Sequence, residues 1–345
     1  MRILMLSRDA SGLDASSSTA DRWRLLRNAG AELVVIAASY KSGGWNEKGL
    51  RVVGSEGGKI TRFFRMYSLA KKEMQNIDLI TAQDPFELGF IAWMLARLFH
   101  KPFEIQDHGG FFDGEKPDEP LWALRKRLAF FLVKRANLVR TVSPFSLARL
   151  EAMHISAKYY HLPIAANDSY AQVEREPEAG LIVSVGRLIP VKRHDLTIRA
   201  FALLHTAIPD TKLVLVGDGP LRSKLEAFAK QLRVANAIEF TGRTDPLPFL
   251  SRAALFVMLS SHEGWGVAAV EAALAGVPVL MTRTGCAKWL EDHEAAKTVS
   301  VRITAEKVSQ EMKKALFSPD HFKRLTKALS LDEAAREQVN AWKSP

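Results

Sequence analysis

The chain has 345 residues, of which 47% are hydrophobic and 25% are charged, and its formal net charge is +10. At about 150 residues per domain this length predicts two domains, and the composition excludes a disordered chain, a collagen-like repeat and a disulfide scaffold. The single cysteine, Cys286, cannot form an internal disulfide, and no apolar run reaches the roughly 18 residues of a membrane-spanning helix. Because the amino terminus also lacks a signal-peptide pattern, we expect a cytoplasmic protein.

In the first half of the chain, short apolar runs alternate with amphipathic segments. The pattern predicts strands at 2–6, 32–38, 77–82, 102–106 and 137–142, and helices at 19–29, 59–76, 86–99, 120–136 and 144–154. The apolar runs do not alternate in polarity, which is typical of parallel strands buried on both faces. This half carries 24 basic and 17 acidic side chains, against 24 and 21 in the remainder. Such a basic surplus favours phosphate-bearing ligands or an anionic surface, and ordinary solvated surface is equally compatible with it.

The second half repeats the alternation. Strands are predicted near 180–186, 212–217, 236–241, 254–260, 277–281 and 298–303, and helices near 193–207, 220–233, 246–252, 267–275 and 305–317. A polar segment at 165–179 has the composition of a linker. The fold class is therefore α/β, with two Rossmann-like domains facing across a cleft. We predict domains at 1–165 and 166–320, followed by a carboxyl-terminal helix within 321–345.

A cationic turn follows the first strand of the second half. Gly186 ends the predicted strand, and Arg187 and Lys192 precede the next helix. Glycine allows a ligand to approach the backbone, and two cations near a helix amino terminus form an anion site, for which a diphosphate is the obvious ligand. A basic loop without a ligand is the alternative. Gly217 and Gly219 form a second turn between a strand and a helix, and a tight turn alone would also explain them.

The sharpest motif is the segment Ser-Ser-His-Glu-Gly-Trp-Gly-Val at 260–267, which leads into an alanine-rich helix. Glu263 lies in the loop and Glu271 about one turn into the helix. Carboxylates accept hydrogen bonds from sugar or ribose hydroxyls, and the amides at the positive end of a helix dipole suit a phosphate. The alternative is that Glu271 only stabilises the helix through its dipole.

In the first half, His108 ends a predicted buried strand and precedes the glycines Gly109 and Gly110. A lone histidine is as often a packed side chain as a functional one, and its position at a strand end favours function. Ligands of open α/β sheets bind beyond the carboxyl ends of the strands.

These motifs resemble the retaining nucleotide-sugar glycosyltransferases of family 4, which have the GT-B fold. The matching segments are Gly186-Arg187 with Lys192, 216–220, the Glu-x7-Glu pair Glu263 and Glu271, 81–86 followed by 106–108, and 142–143. The resemblance implies a hexosyltransferase in which the second domain binds a nucleotide-diphosphate sugar and the first binds the acceptor. It also implies retention of configuration, no metal or other cofactor, and a carboxyl-terminal helix that packs back on the first domain.

The resemblance also implies roles for individual residues. Arg187 and Lys192 would bind the donor diphosphate, Glu263 the transferred sugar, and Glu271 the ribose, while His108 would reach the donor sugar. Further donor contacts are implied for Gly186, Gly217, Gly219, Gly264, Trp265, Gly266 and Val267. Base selectivity is assigned to the segment around Arg243. Gly12, in a first turn that often carries two glycines in the family, and Asp84 would bind the acceptor.

Two helices of the first half have basic amphipathic patterns. In 59–76 the predicted apolar face consists of Ile60, Phe63, Phe64, Tyr67 and Met74. In 120–136 it consists of Leu121, Leu124, Leu128, Phe131 and Leu132. Such helices bind anionic membranes in some proteins, and apolar faces more often form core. If they bind membrane, the enzyme is peripheral at its inner face and the acceptor is lipid-linked, for example a polyprenyl-diphosphate glycan, a lipopolysaccharide core or a glycolipid. Otherwise a glycan acceptor is expected.

Other classes of function remain open on the sequence. A nicotinamide oxidoreductase would use the same kind of sheet, but neither half has Gly-x-Gly-x-x-Gly after its first strand. Nucleic-acid binding is suggested only by charge, and without a recognition motif we expect no nucleic-acid partner. A sugar phosphorylase would need a pyridoxal-binding lysine motif, which is not evident.

Overall fold

The computed structural model describes residues 1–109, 111 and 122–345. The chain forms two compact units. The first combines Met1–Ile164 with Leu331–Pro345, and the second is Ala165–Ser330.

The first unit is an α/β sandwich. Its strands are β1 (Arg2–Ser7), β2 (Glu32–Ala38), β3 (Gly44–Glu47), β4 (Leu50–Ser55), β5 (Leu79–Ala82), β6 (Phe103–Asp107), β7 (Leu138–Thr141) and β8 (Lys158–His161). Its helices are α1 (Ser18–Asn28), α2 (Lys59–Glu73), α3 (Glu87–Phe99), α4 (Trp122–Val133), α5 (Pro144–Ala152) and the last helix of the chain. The strand order is β3-β4-β2-β1-β5-β6-β7-β8, and only the β3–β4 pair is antiparallel.

The second unit has a six-stranded parallel sheet. Its strands are β9 (Leu181–Val185), β10 (Lys212–Val216), β11 (Ile238–Gly242), β12 (Leu255–Met258), β13 (Val279–Thr282) and β14 (Ala296–Val299). Its helices are α6 (His194–Ala207), α7 (Arg222–Gln231), α8 (Leu247–Arg252), α9 (Val267–Leu274), α10 (Ala287–Asp292) and α11 (Ala305–Phe317), and the last helix of the chain is α12 (Leu331–Trp342). The order β11-β10-β9-β12-β13-β14 reverses at β9. Such a reversal is where ligands of doubly wound sheets bind.

Helix ends follow local sequence signals. Ser17 precedes α1 and its side chain accepts a hydrogen bond from the N–H of Ala20. Ser143 caps α5 in the same way, with Pro144 at the first helical position. Serine is favoured before a helix because its side chain accepts a hydrogen bond from an N–H that has no partner within the helix. Proline is favoured at the first helical position because it lacks that N–H.

The last helix completes one face of the first sheet. Ala335, Val339 and Trp342 of α12 are buried in a cluster with Ile3 and Leu138. The other face is covered by a second apolar cluster that includes residues of α2, α3 and α4. The carboxyl-terminal helix therefore belongs to the core of the first unit.

The carboxyl-terminal segment predicted at 321–345 is divided between the two compact units. Residues 321–330 belong to the second unit, where the N–H of Lys323 donates to the carbonyl of Glu294 (2.8 Å) and the N–H of Leu325 to that of Ala273 (3.0 Å). These backbone hydrogen bonds explain the difference, because they hold the segment beside α9 before the chain reaches α12.

The apolar faces predicted for two helices divide between core and solvent. In α2, Met74, which directly follows the helix, is buried and Phe63 and Tyr67 lie partly in the core, whereas Ile60 and Phe64 are 76% and 64% exposed. In α4, Leu132 is buried and Leu124 is exposed. Leu121 and Gly110 lie outside the described residues. Within the described part of the chain, no helix combines the length and apolarity needed to cross a membrane.

Candidate active site

Three glycines bring two loops of the second unit into contact. Gly186 follows β9, and its N–H donates to the carbonyl of Val216 (2.9 Å). A Cβ on Gly217, whose φ is +143°, would lie 2.0 Å from the carbonyl oxygen of Gly186, and one on Gly219 would lie 2.5 Å from that of Leu188. Close backbone packing therefore requires glycine at 217 and 219. Donor binding by these glycines stays a prediction.

Lys192 and Glu263 meet beside this turn. Lys192 ends a short 3-10 turn before α6, and its Nζ donates to Oε1 of Glu263 at 2.6 Å. Ser260, buried just after β12, donates its hydroxyl to the same carboxylate oxygen at 2.5 Å. Arg187 is exposed in the same loop as Lys192. Two residues that lie 71 positions apart in the sequence thus form one charged site.

The loop after β13 packs against the loop at 263–266 and is hydrogen-bonded to it. Trp265 is buried, and its carbonyl accepts a hydrogen bond from the N–H of Cys286 (2.7 Å). Gly266 has a φ of +91° and caps α9. This left-handed backbone favours glycine and turns the chain directly into the helix. Gly264 and Val267 are partly exposed near Glu263, at the positive end of the α9 dipole.

Glu271 lies partly buried in the second turn of α9. Burial, together with the nearby carboxylate of Asp245, raises the pKa of Glu271 to about 7. Asp245 follows the exposed Arg243 in the loop between β11 and α8. The predicted base-selecting loop and the predicted ribose ligand therefore lie close together in the second unit.

His108 follows β6 at the carboxyl edge of the first sheet. Its Nε2 lies 2.7 Å from Oε1 of Gln106. Burial, together with the positive charges of Arg140 and Arg22, lowers the pKa of His108 to about 3. The imidazole is therefore neutral at physiological pH and can exchange hydrogen bonds with a ligand without carrying charge.

The two predicted acceptor residues differ in their surroundings. Asp84 is buried after β5; its Oδ1 accepts a hydrogen bond from the N–H of Phe86 (2.7 Å), and its Oδ2 lies 3.0 Å from Nε of Arg8. Burial raises the pKa of Asp84, an effect that Arg8 opposes. Gly12 is buried, and a Cβ there would lie 2.1 Å from the ring of Trp23. Packing explains glycine at 12, and acceptor binding by Gly12 and Asp84 stays a prediction.

The motifs did not single out several residues that the structure places at these sites. Arg8 follows the first strand and pairs with Asp84, Ser260 binds Glu263, and Asp245 lies near Glu271. Arg8 and Asp245 follow predicted strands and Ser260 ends one, and this position was the available signal. Among the residues that the structure describes, no group of three or more His, Cys, Asp and Glu side chains is arranged to hold a metal ion.

Two family comparisons cover most of the chain. Residues 167–337 match the family described as "Glycosyl transferases group 1", and residues 18–163 match "Glycosyltransferase Family 4". With the two parallel-sheet units and the Glu263–Glu271 motif, these matches identify the chain as a member of the family 4 glycosyltransferases, which have the GT-B fold.

Individual relatives support the same assignment. The lipopolysaccharide core biosynthesis glycosyltransferase LpsE of Rhizobium meliloti is 34% identical over 38% of this chain and 38% of its own length. The GDP-mannose-dependent alpha-(1-6)-phosphatidylinositol monomannoside mannosyltransferase of Mycolicibacterium smegmatis is 34% identical over 44% of this chain and 45% of its own. These matches therefore span less than half the length of either relative.

The fold is also that of solved glycosyltransferase structures. Anabaena HepE, crystallised with UDP and glucose, superposes with a TM-score of 0.73 at 16% sequence identity, covering 99% of this chain and 95% of that one. At this level of identity the likeness concerns the fold alone.

Proposed function

We propose that this protein transfers a hexose from a nucleotide-diphosphate sugar to a glycan or lipid-linked acceptor, with retention and without a metal ion. The observation that carries the proposal is the convergence of Lys192 and Glu263 at the amino terminus of α9, with Arg187 in the adjoining loop. A site with two cations, helix amides and a carboxylate can bind a diphosphate and a sugar hydroxyl together.

The difficult step is departure of the nucleoside diphosphate. Negative charge grows on its oxygens while the anomeric carbon becomes cation-like. Fixed donors directed at that charge stabilise the transition state more than the bound donor, which is how they accelerate the reaction. Arg187, Lys192 and the first amides of α9 would supply these donors in place of a metal. Glu263 would bind the transferred sugar, and Glu271 would accept hydrogen bonds from the ribose.

The acceptor would bind to the first unit, where His108 and Asp84 lie at the carboxyl edge of the sheet. The neutral imidazole of His108 would exchange a hydrogen bond with a hydroxyl of the donor sugar. The names of the two relatives refer to a lipopolysaccharide core and to a phosphatidylinositol mannoside. They support a lipid-linked acceptor, and the exposed Ile60 and Phe64 of α2 would then contact the membrane surface beside Arg62 and Arg65.

A panel of nucleotide sugars tests the proposal. Each sugar would be incubated with the protein, with and without EDTA, and scored for slow donor hydrolysis and for transfer to lipid-linked and free glycan acceptors. We expect one nucleotide sugar to be consumed equally with and without EDTA, and NMR of the product to show the anomeric configuration of the donor. If none of the nucleotide sugars is hydrolysed or used for transfer, the proposed activity is contradicted. Loss of activity in EDTA, or an inverted product, would contradict those parts of it.

A further inference from the structure

The strand that leads to His108 carries two buried polar side chains. Glu104 and Gln106 of β6 are 0% and 1% exposed and, two residues apart, lie on the same face of the sheet. A strand buried in a parallel sheet is normally apolar on both faces, and a buried polar group is costly unless it is hydrogen-bonded. The polar pair in this strand therefore needs an explanation.

Both carboxylate oxygens of Glu104 accept hydrogen bonds, from four donors in all. Its Oε2 accepts hydrogen bonds from the hydroxyl of Thr81 (2.5 Å), from Nε2 of Gln106 (2.9 Å) and from the indole N–H of Trp342 (2.9 Å). Its Oε1 accepts one from the hydroxyl of Tyr160 (2.5 Å). Trp342 belongs to α12, so the last helix of the chain helps to hold the carboxylate in place.

These contacts fix the orientation of the Gln106 amide. Its Nε2 donates to Glu104 and also to Oγ1 of Thr81, at 2.7 Å, which uses the donor side of the amide. Turning the amide over would place its carbonyl against the carboxylate of Glu104. The Oε1 atom of Gln106 therefore faces His108, and because this oxygen can only accept, Nε2 of His108 must carry the hydrogen.

We propose that Gln106 is a positioning residue for the reaction: it holds His108 in the Nε2–H tautomer and directs Nδ1, as the acceptor of the ring, toward a hydroxyl of the substrate. The inference rests on the proposed function for the contact between His108 and substrate. The chain from Trp342 through Glu104 and Gln106 to His108 supplies the fixed support that a catalytic geometry needs. The low pKa of His108 agrees with a ring that stays neutral in this arrangement.

Long-range ¹H–¹⁵N NMR of the histidine-labelled protein tests the tautomer directly. The signals of His108 are identified by their absence in His108→Gln. We expect the wild-type spectrum to show Nε2–H and an unprotonated Nδ1 at neutral pH. An Nδ1–H tautomer in the wild-type protein overturns the inference whatever the protein's activity, so this arm does not depend on the proposed function.

The variant Gln106→Met removes the acceptor and keeps the length of the side chain. We expect His108 to become a mixture of tautomers, kcat to fall about three- to tenfold, and the donor KM to change less than twofold. Gln338→Met is the matched control, because Gln338 is also buried in the first unit and accepts a hydrogen bond from Arg140 (2.7 Å) without contacting His108. It should lower the melting temperature comparably and leave kcat and the tautomer unchanged.

Trp342→Phe removes one donor to Glu104 and retains most of the aromatic ring. In this variant, a fall in kcat smaller than that of Gln106→Met, together with a mixture of His108 tautomers, would support the chain of contacts. A shifted tautomer in Gln106→Met with unchanged kcat, or an equal loss of kcat in Gln338→Met, overturns the positioning role. A protein that transfers no sugar but keeps the expected tautomer would instead contradict the proposed function.

Discussion

Nζ of Lys192 lies 2.6 Å from Oε1 of Glu263, and both side chains are largely buried. An ammonium and a carboxylate of this kind compensate each other's loss of water, so neither is easily removed alone. A bound diphosphate would bring more negative charge to Lys192 while its sugar gives hydroxyl donors to Glu263. The two side chains therefore stabilise each other in the structure. In the proposed function, Lys192 would bind the diphosphate of the donor and Glu263 would bind its sugar.

Replacing Lys192 by alanine should affect both roles. We expect kcat to fall on the order of a hundredfold, because a donor aimed at the leaving diphosphate is removed. The free energy of unfolding should also fall by about 1–3 kcal/mol, because Glu263 keeps only the hydroxyl of Ser260. Steady-state kinetics and urea denaturation measure the two effects. Lys230→Ala, an exposed lysine of α7, is the control and should change neither. A normal kcat in Lys192→Ala would rule out the assigned role.

Donor affinity should depend on pH through Glu271. The pKa of this carboxyl is raised to about 7 in the ligand-free protein, so at pH 6 only about a tenth of the molecules carry the carboxylate that ribose hydroxyls would bind. Calorimetric titration with the donor sugar should give a dissociation constant about tenfold higher at pH 6 than at pH 8. Glu271→Gln should flatten this dependence. Equal affinities at the two pH values in the wild type would argue against Glu271 as the ribose ligand.

The raised pKa of Glu271 also makes the free energy of unfolding depend on pH. The folded-state pKa of Glu271 is raised above the value in an unfolded chain. Its contribution to the free energy of unfolding is therefore fully present below about pH 4.5 and is lost as pH rises through about 7. Denaturation of Glu271→Gln, compared with the wild type from pH 5 to 8, should show a smaller loss of stability with rising pH in the variant.

Gly217→Ala should destabilise the second unit. The added Cβ would lie 2.0 Å from the carbonyl oxygen of Gly186 at a φ of +143°, so either the loop or the end of β9 must move. We expect a loss of about 2–4 kcal/mol and weaker donor binding, since Gly186 adjoins Arg187. Gly58→Ala is a matched control because a Cβ there meets nothing within 4 Å. Thermal denaturation of the two variants tests this expectation. Equal melting temperatures of Gly217→Ala and Gly58→Ala would contradict it.

The exposed apolar residues of α2 give a test of membrane contact. Liposome co-sedimentation should show binding that increases with anionic lipid and decreases with salt. The double variant Ile60→Ser with Phe64→Ser should lose most of this binding. Phe317→Ser removes an equally exposed phenylalanine, 68% accessible, from the second unit and should bind as the wild type does. Binding that is unaffected by the double variant would exclude α2 as the contact surface.

The sequence predicted the class of fold because most of the interior strands, such as β1, β2 and β12, are apolar on both faces. It missed β3, β4 and β8 of the first sheet and the short helix α10 of the second unit. Strand β3 has alternating exposure, and β8 reads Lys-Tyr-Tyr-His, so neither has the continuous apolar run that marked the interior strands. An edge strand pairs on one side only and can tolerate polar side chains, which removes the signal. β4 pairs on both sides, with β3 and β2, but its exposed Arg51 interrupts the apolar run, so the hairpin of β3 and β4 was missed.

The residues of the candidate site could be named from the sequence, but their contacts could not. Lys192 and Glu263 were assigned to different parts of one ligand, and their direct pairing depends on how two loops pack. The pKa of Glu271 depends on burial and on Asp245, which comes from another loop. The matching segment 106–108 implies no role for Gln106, because the orientation of its amide is decided by Thr81 and Glu104, on two strands of the sheet.

The first unit closes around residues that are synthesised after the whole of the second unit. Trp342 and Val339 enter its core, yet the whole of 165–330 lies between them and the rest of that unit in the chain. During translation the second unit, which is continuous, can finish folding before α12 has left the ribosome. Until then the face of the first sheet that α12 covers stays open, with the carboxyl of Glu104 beneath it. Nascent chains stalled before residue 331 would therefore be good substrates for chaperones.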